Sequence, residues 1–139
     1  MPVLLDLIFL EMYDIHLMKA VQINAYGGID VLEINENAPK PTPSKNQVLV
    51  EVHAASINPI DYKIRAGYLK EMMPLEFPAT LGGDFAGVIL ELGEGVTDLK
   101  VGDLVYGSAI VLNGGSGAFA QILAANTGST ALKPKNVDF

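Results

Sequence analysis

Ser56-Ile57-Asn58-Pro59-Ile60-Asp61-Tyr62-Lys63-Ile64-Arg65-Ala66-Gly67 is the stretch whose reading decides the fold. Asn58 suits a helix cap, and Pro59, which has no N–H to satisfy, suits the first helical position. Ile60 to Ala66 then predicts a short helix, ended by Gly67. Directly upstream, Val48-Leu49-Val50-Glu51-Val52-His53-Ala54-Ala55 is the strongest strand of the chain, rich in β-branched residues. Working outward, Lys19 to Ala25 predicts a strand turned by Gly27-Gly28, and Leu32 to Asn35 a second. Pro39, Pro41 and Pro43 predict an extended connection. Further strands are expected at Phe85 to Leu92, running into Gly93-Glu94-Gly95, at Asp103 to Tyr106, and at Ala118 to Ala124. Many short strands with Gly and Pro turns and few helices make a mainly β, α+β chain, curled as a small, partly open β-barrel or sandwich.

The bulk numbers agree with one globular domain. A chain of 139 residues can bury roughly two-thirds of its unfolded surface. Half of it is hydrophobic, and the net charge of −7 argues against nonspecific nucleic-acid binding. There is no Cys, which rules out disulfides and thiolate metal sites and suits a reducing cytoplasm. Residues 1–17 stand apart. Val3-Leu4-Leu5-Asp6-Leu7-Ile8-Phe9-Leu10 is apolar but lacks a basic start, and Asp6, Glu11 and Asp14 interrupt it. It is too short and too charged to span a bilayer. The domain pattern begins at Met18, so 18–139 is expected to be the domain. The leader reads either as upstream translation or as a short amphipathic helix.

Several residues invite a functional reading. Asp61 and Asp84 are paired carboxylates. Arg65 follows Asp61 by four residues, so a structural Asp61–Arg65 pair is expected in preference to acid–base work. Gly82, Gly83 and Gly87 around Asp84 read as a tight turn or close backbone packing. They form no dinucleotide-binding fingerprint. Gly114-Gly115-Ser116-Gly117 lacks the Lys-Ser/Thr of a phosphate loop and predicts a flexible hairpin. His53 lies within the strongest strand, where a packed or edge histidine is expected. The residues contain no zinc-ligand spacing.

Three motifs in register carry a resemblance: the opening stretch, then Leu81-Gly82-Gly83-Asp84-Phe85-Ala86-Gly87-Val88, then Val101-Gly102-Asp103-Leu104-Val105-Tyr106-Gly107. Together with the closing Ala131-Leu132-Lys133-Pro134-Lys135-Asn136-Val137-Asp138-Phe139, they resemble the catalytic domain of the medium-chain dehydrogenase/reductase superfamily, in its zinc-free quinone and enone reductase branch. The resemblance implies a GroES-like partly open β-barrel. It also implies reduction of a small quinone or α,β-unsaturated carbonyl by hydride from NADPH or NADH. Where zinc-dependent members carry a metal-binding Cys and a metal-binding His, this chain has Asn58 and Gly83, so the resemblance implies no zinc.

That chemistry asks a protein to orient the nicotinamide and stabilise developing charge on the acceptor oxygen. The resemblance places Asn58 beside the nicotinamide, where its amide would donate or accept. It makes Lys63 the electrostatic candidate, meeting a cofactor phosphate or an enolate oxygen; the bare sequence leaves a solvated helix lysine equally open. Asn58 and Lys63 are thus the expected catalytic and cofactor-binding residues. Tyr62 and Tyr68 would line the cleft or simply pack. The family continues with a Rossmann-type domain that binds most of the cofactor. This chain, taken alone, is therefore expected to be inactive, to expose apolar surface, and to self-associate or pair with that domain. The alternative is a non-catalytic binding or structural module of the same fold.

Overall fold

The computed structural model describes residues 17–139; the readings made for 1–16 lie outside the described residues. Eight strands and one α-helix are described: β1 (Leu17–Ile23), β2 (Glu33–Pro39), β3 (Gln47–Ala55), α1 (Pro59–Ala66), β4 (Ala79–Thr80), β5 (Asp84–Leu92), β6 (Leu104–Ser108), β7 (Ile122–Asn126) and β8 (Thr130–Leu132). They form a three-stranded sheet ordered β2-β1-β4 and a five-stranded sheet ordered β7-β3-β5-β6-β8. Every pairing is antiparallel. The sheets do not close, so the mainly β, partly open architecture expected from the sequence is the one observed. No helix among the described residues is long and apolar enough to cross a membrane.

The elements follow from local chemistry. β3 lies between β7 and β5, and its run Val48-Leu49-Val50 is buried, as a central strand covered on both faces requires. Pro39 ends β2, an edge strand, where a residue without an N–H leaves no ladder bond unmade. β2 runs further toward the prolines than the expected Leu32 to Asn35. Gly87 of β5 opposes β3 so closely that a Cβ there would strike the Glu51 carbonyl. The bare backbone is what lets the two strands pair.

Ala118 to Ala124 is not the single strand expected. β7 begins at Ile122, and the four residues before it pass from one partner to another. Ala118 and Phe119 donate to Gly82 and Leu81, Val21 and Val52 donate to Phe119 and Gln121, and Gln121 donates to Lys19. A segment that bonds to both sheets cannot belong to one ladder; it staples them together. The glycines at 114–117 are likewise tied down. Ser116 N–H donates to Ala124 O and Gly117 N–H to Ala109 O, while Ser116 Oγ accepts from Ala124 N–H at 2.8 Å.

Two main apolar clusters result. Val48, Val50, Phe85, Ile89, Val105 and Leu123 fill the five-stranded sheet's interior. Ile23, Ile64, Ala79 and Leu81 seat α1 against the smaller sheet, with Phe119 packed beside them. Gln22 is buried yet satisfied: its Nε2 donates to Thr80 Oγ1 at 3.1 Å and its Oε1 accepts from Asn35 Nδ2 at 3.0 Å. These bonds link the three strands of the smaller sheet across its width.

Candidate functional site

The opening stretch folds as its residues dictate. Asn58 has extended backbone, Pro59 takes the first helical position, and Gly67 closes α1 at φ 83. Asp61, at the third helical position, turns back so that its Oδ2 accepts from Asn58 N–H at 2.7 Å. A carboxyl there satisfies a donor at the helix entry. The expected Asp61–Arg65 pair does not form. Asp61 is held by the cap, while Arg65 Nε donates to Gly27 O at 3.3 Å. Gly27 N–H returns a bond to Arg65 O. The four-residue spacing was right, but backbone groups at each end of the helix take the two side chains.

Asp61 is 5% exposed, and its Oδ1 has no hydrogen-bond partner. Desolvation raises its pKa from the ordinary Asp value. The Asn58 N–H pulls the other way, and the nearby Asp84 charge adds to the rise.

Asp84, the first residue of β5, completes the arrangement. Its Oδ2 accepts from Asn58 Nδ2 at 2.9 Å and from Ser56 Oγ at 3.0 Å. Asn58 Nδ2 also lies 3.2 Å from Ser56 Oγ. Backbone and side chain of Asn58 are therefore each held by a carboxyl, one from α1 and one from β5. Ser56 was not singled out in the sequence; a hydroxyl two residues before a cap is too common a pattern to stand out.

Beside Asn58 lies a cavity of about 550 Å³, walled by Val21, Leu32, Ala55, Ile57, Leu81 and Phe119. Helix α1 and its cap contribute Asn58, Asp61, Tyr62 and Arg65, which at about 100° per residue share one face. Lys63 falls about 140° around the helix from Asn58. It is exposed, is not among the cavity's walls, and makes no side-chain hydrogen bond or ion pair among the described residues. Tyr62 lines the cavity, and Tyr68 packs edge-on against it at 6.2 Å. At the rim Ile57 is 84% exposed and Tyr68 68%.

The remaining candidates have structural roles. Gly82 (φ 94) lies against the Phe119 ring, where any side chain would collide. Gly83 has room for one, the nearest atom to an added Cβ being Ile110 Cβ at 3.6 Å. His53, exposed on β3, bonds Glu51 at 2.9 Å and stacks on Phe139 at 4.6 Å. Among the described residues, no three His, Asp or Glu side chains gather as a metal site would require.

Comparison with known proteins matches residues 44–135 to the alcohol dehydrogenase GroES-like domain. The chain is 43% identical over 127 residues to an NADPH-dependent alkenal/one oxidoreductase of Arabidopsis thaliana, covering 88% of this chain and 32% of that one. It is 35% identical to the quinone oxidoreductase of Rattus norvegicus, covering 88% and 36% respectively. A solved quinone oxidoreductase from Coxiella burnetii superposes with a TM-score of 0.77 at 36% identity, over 88% of this chain and 38% of that one. The chain spans about a third of the length of the curated relatives it matches.

Proposed function

The chain belongs to the alcohol dehydrogenase GroES-like domain family, and from that premise we propose that it is the acceptor-binding domain of an NADPH-dependent reductase of quinones or enones. The observation that carries this reading is the apolar cavity beside a doubly anchored Asn58. Relatives at 35% to 43% identity that bear quinone oxidoreductase and alkenal/one oxidoreductase names support it.

The cavity suits one end of the cofactor. Its volume and walls admit an aromatic ring with an amide at its edge. The diphosphate has no such cradle among the described residues. A helix N-terminus binds phosphate through free N–H groups. At α1, Pro59 has none and Asp61 presents a carboxyl instead. The nicotinamide would therefore rest on this domain and the phosphates on residues outside it. On this reading the 139 residues alone turn nothing over.

Bound NADPH would supply a hydride to the quinone oxygen or the enone β-carbon, with water providing the balancing proton. The chain's own part is positional. Phe119, Leu81 and Val21 form an apolar wall against which a planar ring would stack. Water exclusion strengthens every polar contact inside. Tyr62 borders the open side, and Ile57 and Tyr68 offer apolar surface for an adjoining domain to cover. Lys63, off the cavity face, enters as a rim cation able to meet a phosphate that reaches past α1.

The test is to extend the chain with a Rossmann-type dinucleotide-binding domain and follow NADPH oxidation with a quinone or an enone. Acceptor-dependent oxidation is expected. A folded, soluble extended protein that binds NADPH yet reduces neither acceptor class would refute the reading and favour a non-catalytic module. Lys63→Ala in that protein is expected to raise the KM for NADPH several-fold with kcat little changed, which steady-state kinetics would check.

A further inference from the structure

The hydrogen bonds around Asn58 fix which end of its amide faces a ligand. As a carboxylate, Asp84 can only accept, so the group that meets it at 2.9 Å must be the Asn58 NH₂. The same NH₂ lies 3.2 Å from Ser56 Oγ, whose own proton goes to Asp84 at 3.0 Å. Both Nδ2 protons of Asn58 are thereby engaged inside the protein. Its carbonyl oxygen turns toward the Asp61 N–H in the capping box at the start of α1, so what the side chain has left to offer is that oxygen's second lone pair, an acceptor.

We infer that Asp84 and Ser56 lock Asn58 as a hydrogen-bond acceptor at the cavity edge, so the cavity selects ligands carrying an N–H or O–H donor, such as a primary carboxamide or a phenolic hydroxyl. Asp84 is then a positioning residue: it acts on ligands only through Asn58. A nicotinamide carboxamide or a hydroquinone hydroxyl satisfies this acceptor, whereas a quinone or enone oxygen does not. Asn58 is thus a group that holds the ring in register, and donation to a developing oxyanion falls to another group. The inference deepens the proposed function and rests on the cavity being its ring-binding site.

The test uses the whole 139-residue chain, ¹⁵N-labelled, and two probes of nearly equal shape. Benzamide carries the donor, and N,N-dimethylbenzamide lacks it. Benzamide is expected to perturb the Ile57, Tyr62 and Phe119 resonances saturably, at least fivefold more tightly than the dimethyl compound. Asp84→Ala should bring that ratio below about twofold, by freeing the amide to turn, and Asp84→Glu should restore most of it. The Asn58 side-chain NH₂ signals should move toward solvent-exposed values in Asp84→Ala, while distant backbone amides stay in place. Equal affinity of the two probes for the unmodified chain would overturn the inference. So would absence of binding by both, or an undiminished preference in a folded Asp84→Ala or Ser56→Ala variant. The unmodified chain alone can decide the point if a variant fails to fold. No turnover is measured, so a failed reductase assay and a failed donor preference remain distinguishable.

Discussion

Asp61 concentrates the conflict in the site: a carboxyl recruited to cap a helix is also buried and left with one oxygen unpaired. Because its pKa is raised, the folded state holds its proton more tightly than the unfolded chain does. The stability tied to that proton is fully present below the unfolded value, about 3.9. It is lost as pH rises through the raised folded value. Asp61→Asn keeps an oxygen for the Asn58 N–H but cannot ionise. Urea unfolding at a series of pH values should show the fall in the parent protein and its absence in this variant. Asp61→Ala, which also removes the cap, is expected to cost about 1–2 kcal/mol even at the acid end. At this scale the sequence was legible where a residue's local use is nearly unique. Asn58-Pro59 and Gly67 placed the ends of α1. The Asp61–Arg65 pair was misread because spacing on a helix says nothing of competing backbone donors and acceptors, and Gly27 lies far away in the chain.

The strands show a similar division among elements. β3 was readable from its β-branched content and β5 from the run into the Gly93-Glu94-Gly95 turn, and both lie inside the larger sheet. The two-residue β4 and three-residue β8 were not anticipated, since so few residues carry no period. The segment from Ala118 to Gln121 has the composition of a strand, but its hydrogen bonds go to both sheets, a tertiary arrangement invisible in the local pattern. Gly87 is the sharpest element-scale test. Gly87→Ala would drive a methyl into the Glu51 carbonyl across β3–β5, and a loss of about 3 kcal/mol or more is expected. Chemical denaturation would measure it, and a change below about 1 kcal/mol would mean that the strands can separate to accept a side chain.

For the whole molecule, two apolar clusters set the stability, and an exposed apolar rim sets the behaviour in solution. Ile23 is fully buried in the cluster that seats α1, so Ile23→Ala is expected to cost about 2–5 kcal/mol in urea unfolding. It should also loosen the Asn58 cavity, whose Leu81 wall belongs to the same cluster. Near that cavity, Ile57, Tyr62 and Tyr68 are exposed, apolar side chains of the kind that self-association or a partner covers. Sedimentation velocity should therefore show mass rising with concentration, less steeply for Ile57→Ser. The architecture was legible from the rhythm of short strands and turns. The cavity was not, because its walls come from segments as distant as Val21, Ala55, Leu81 and Phe119, which only the folded chain brings together.

The proposed reductase function requires Asn58 to stand at the site of hydride transfer. The most direct measurement is kcat/KM for quinone-dependent NADPH oxidation by the domain-extended protein, with and without Asn58→Ala, both confirmed folded by circular dichroism. A fall of at least tenfold, about 1.4 kcal/mol of transition-state stabilisation, is predicted. Unchanged kcat/KM in the folded variant would contradict the account and move the reaction away from this cavity.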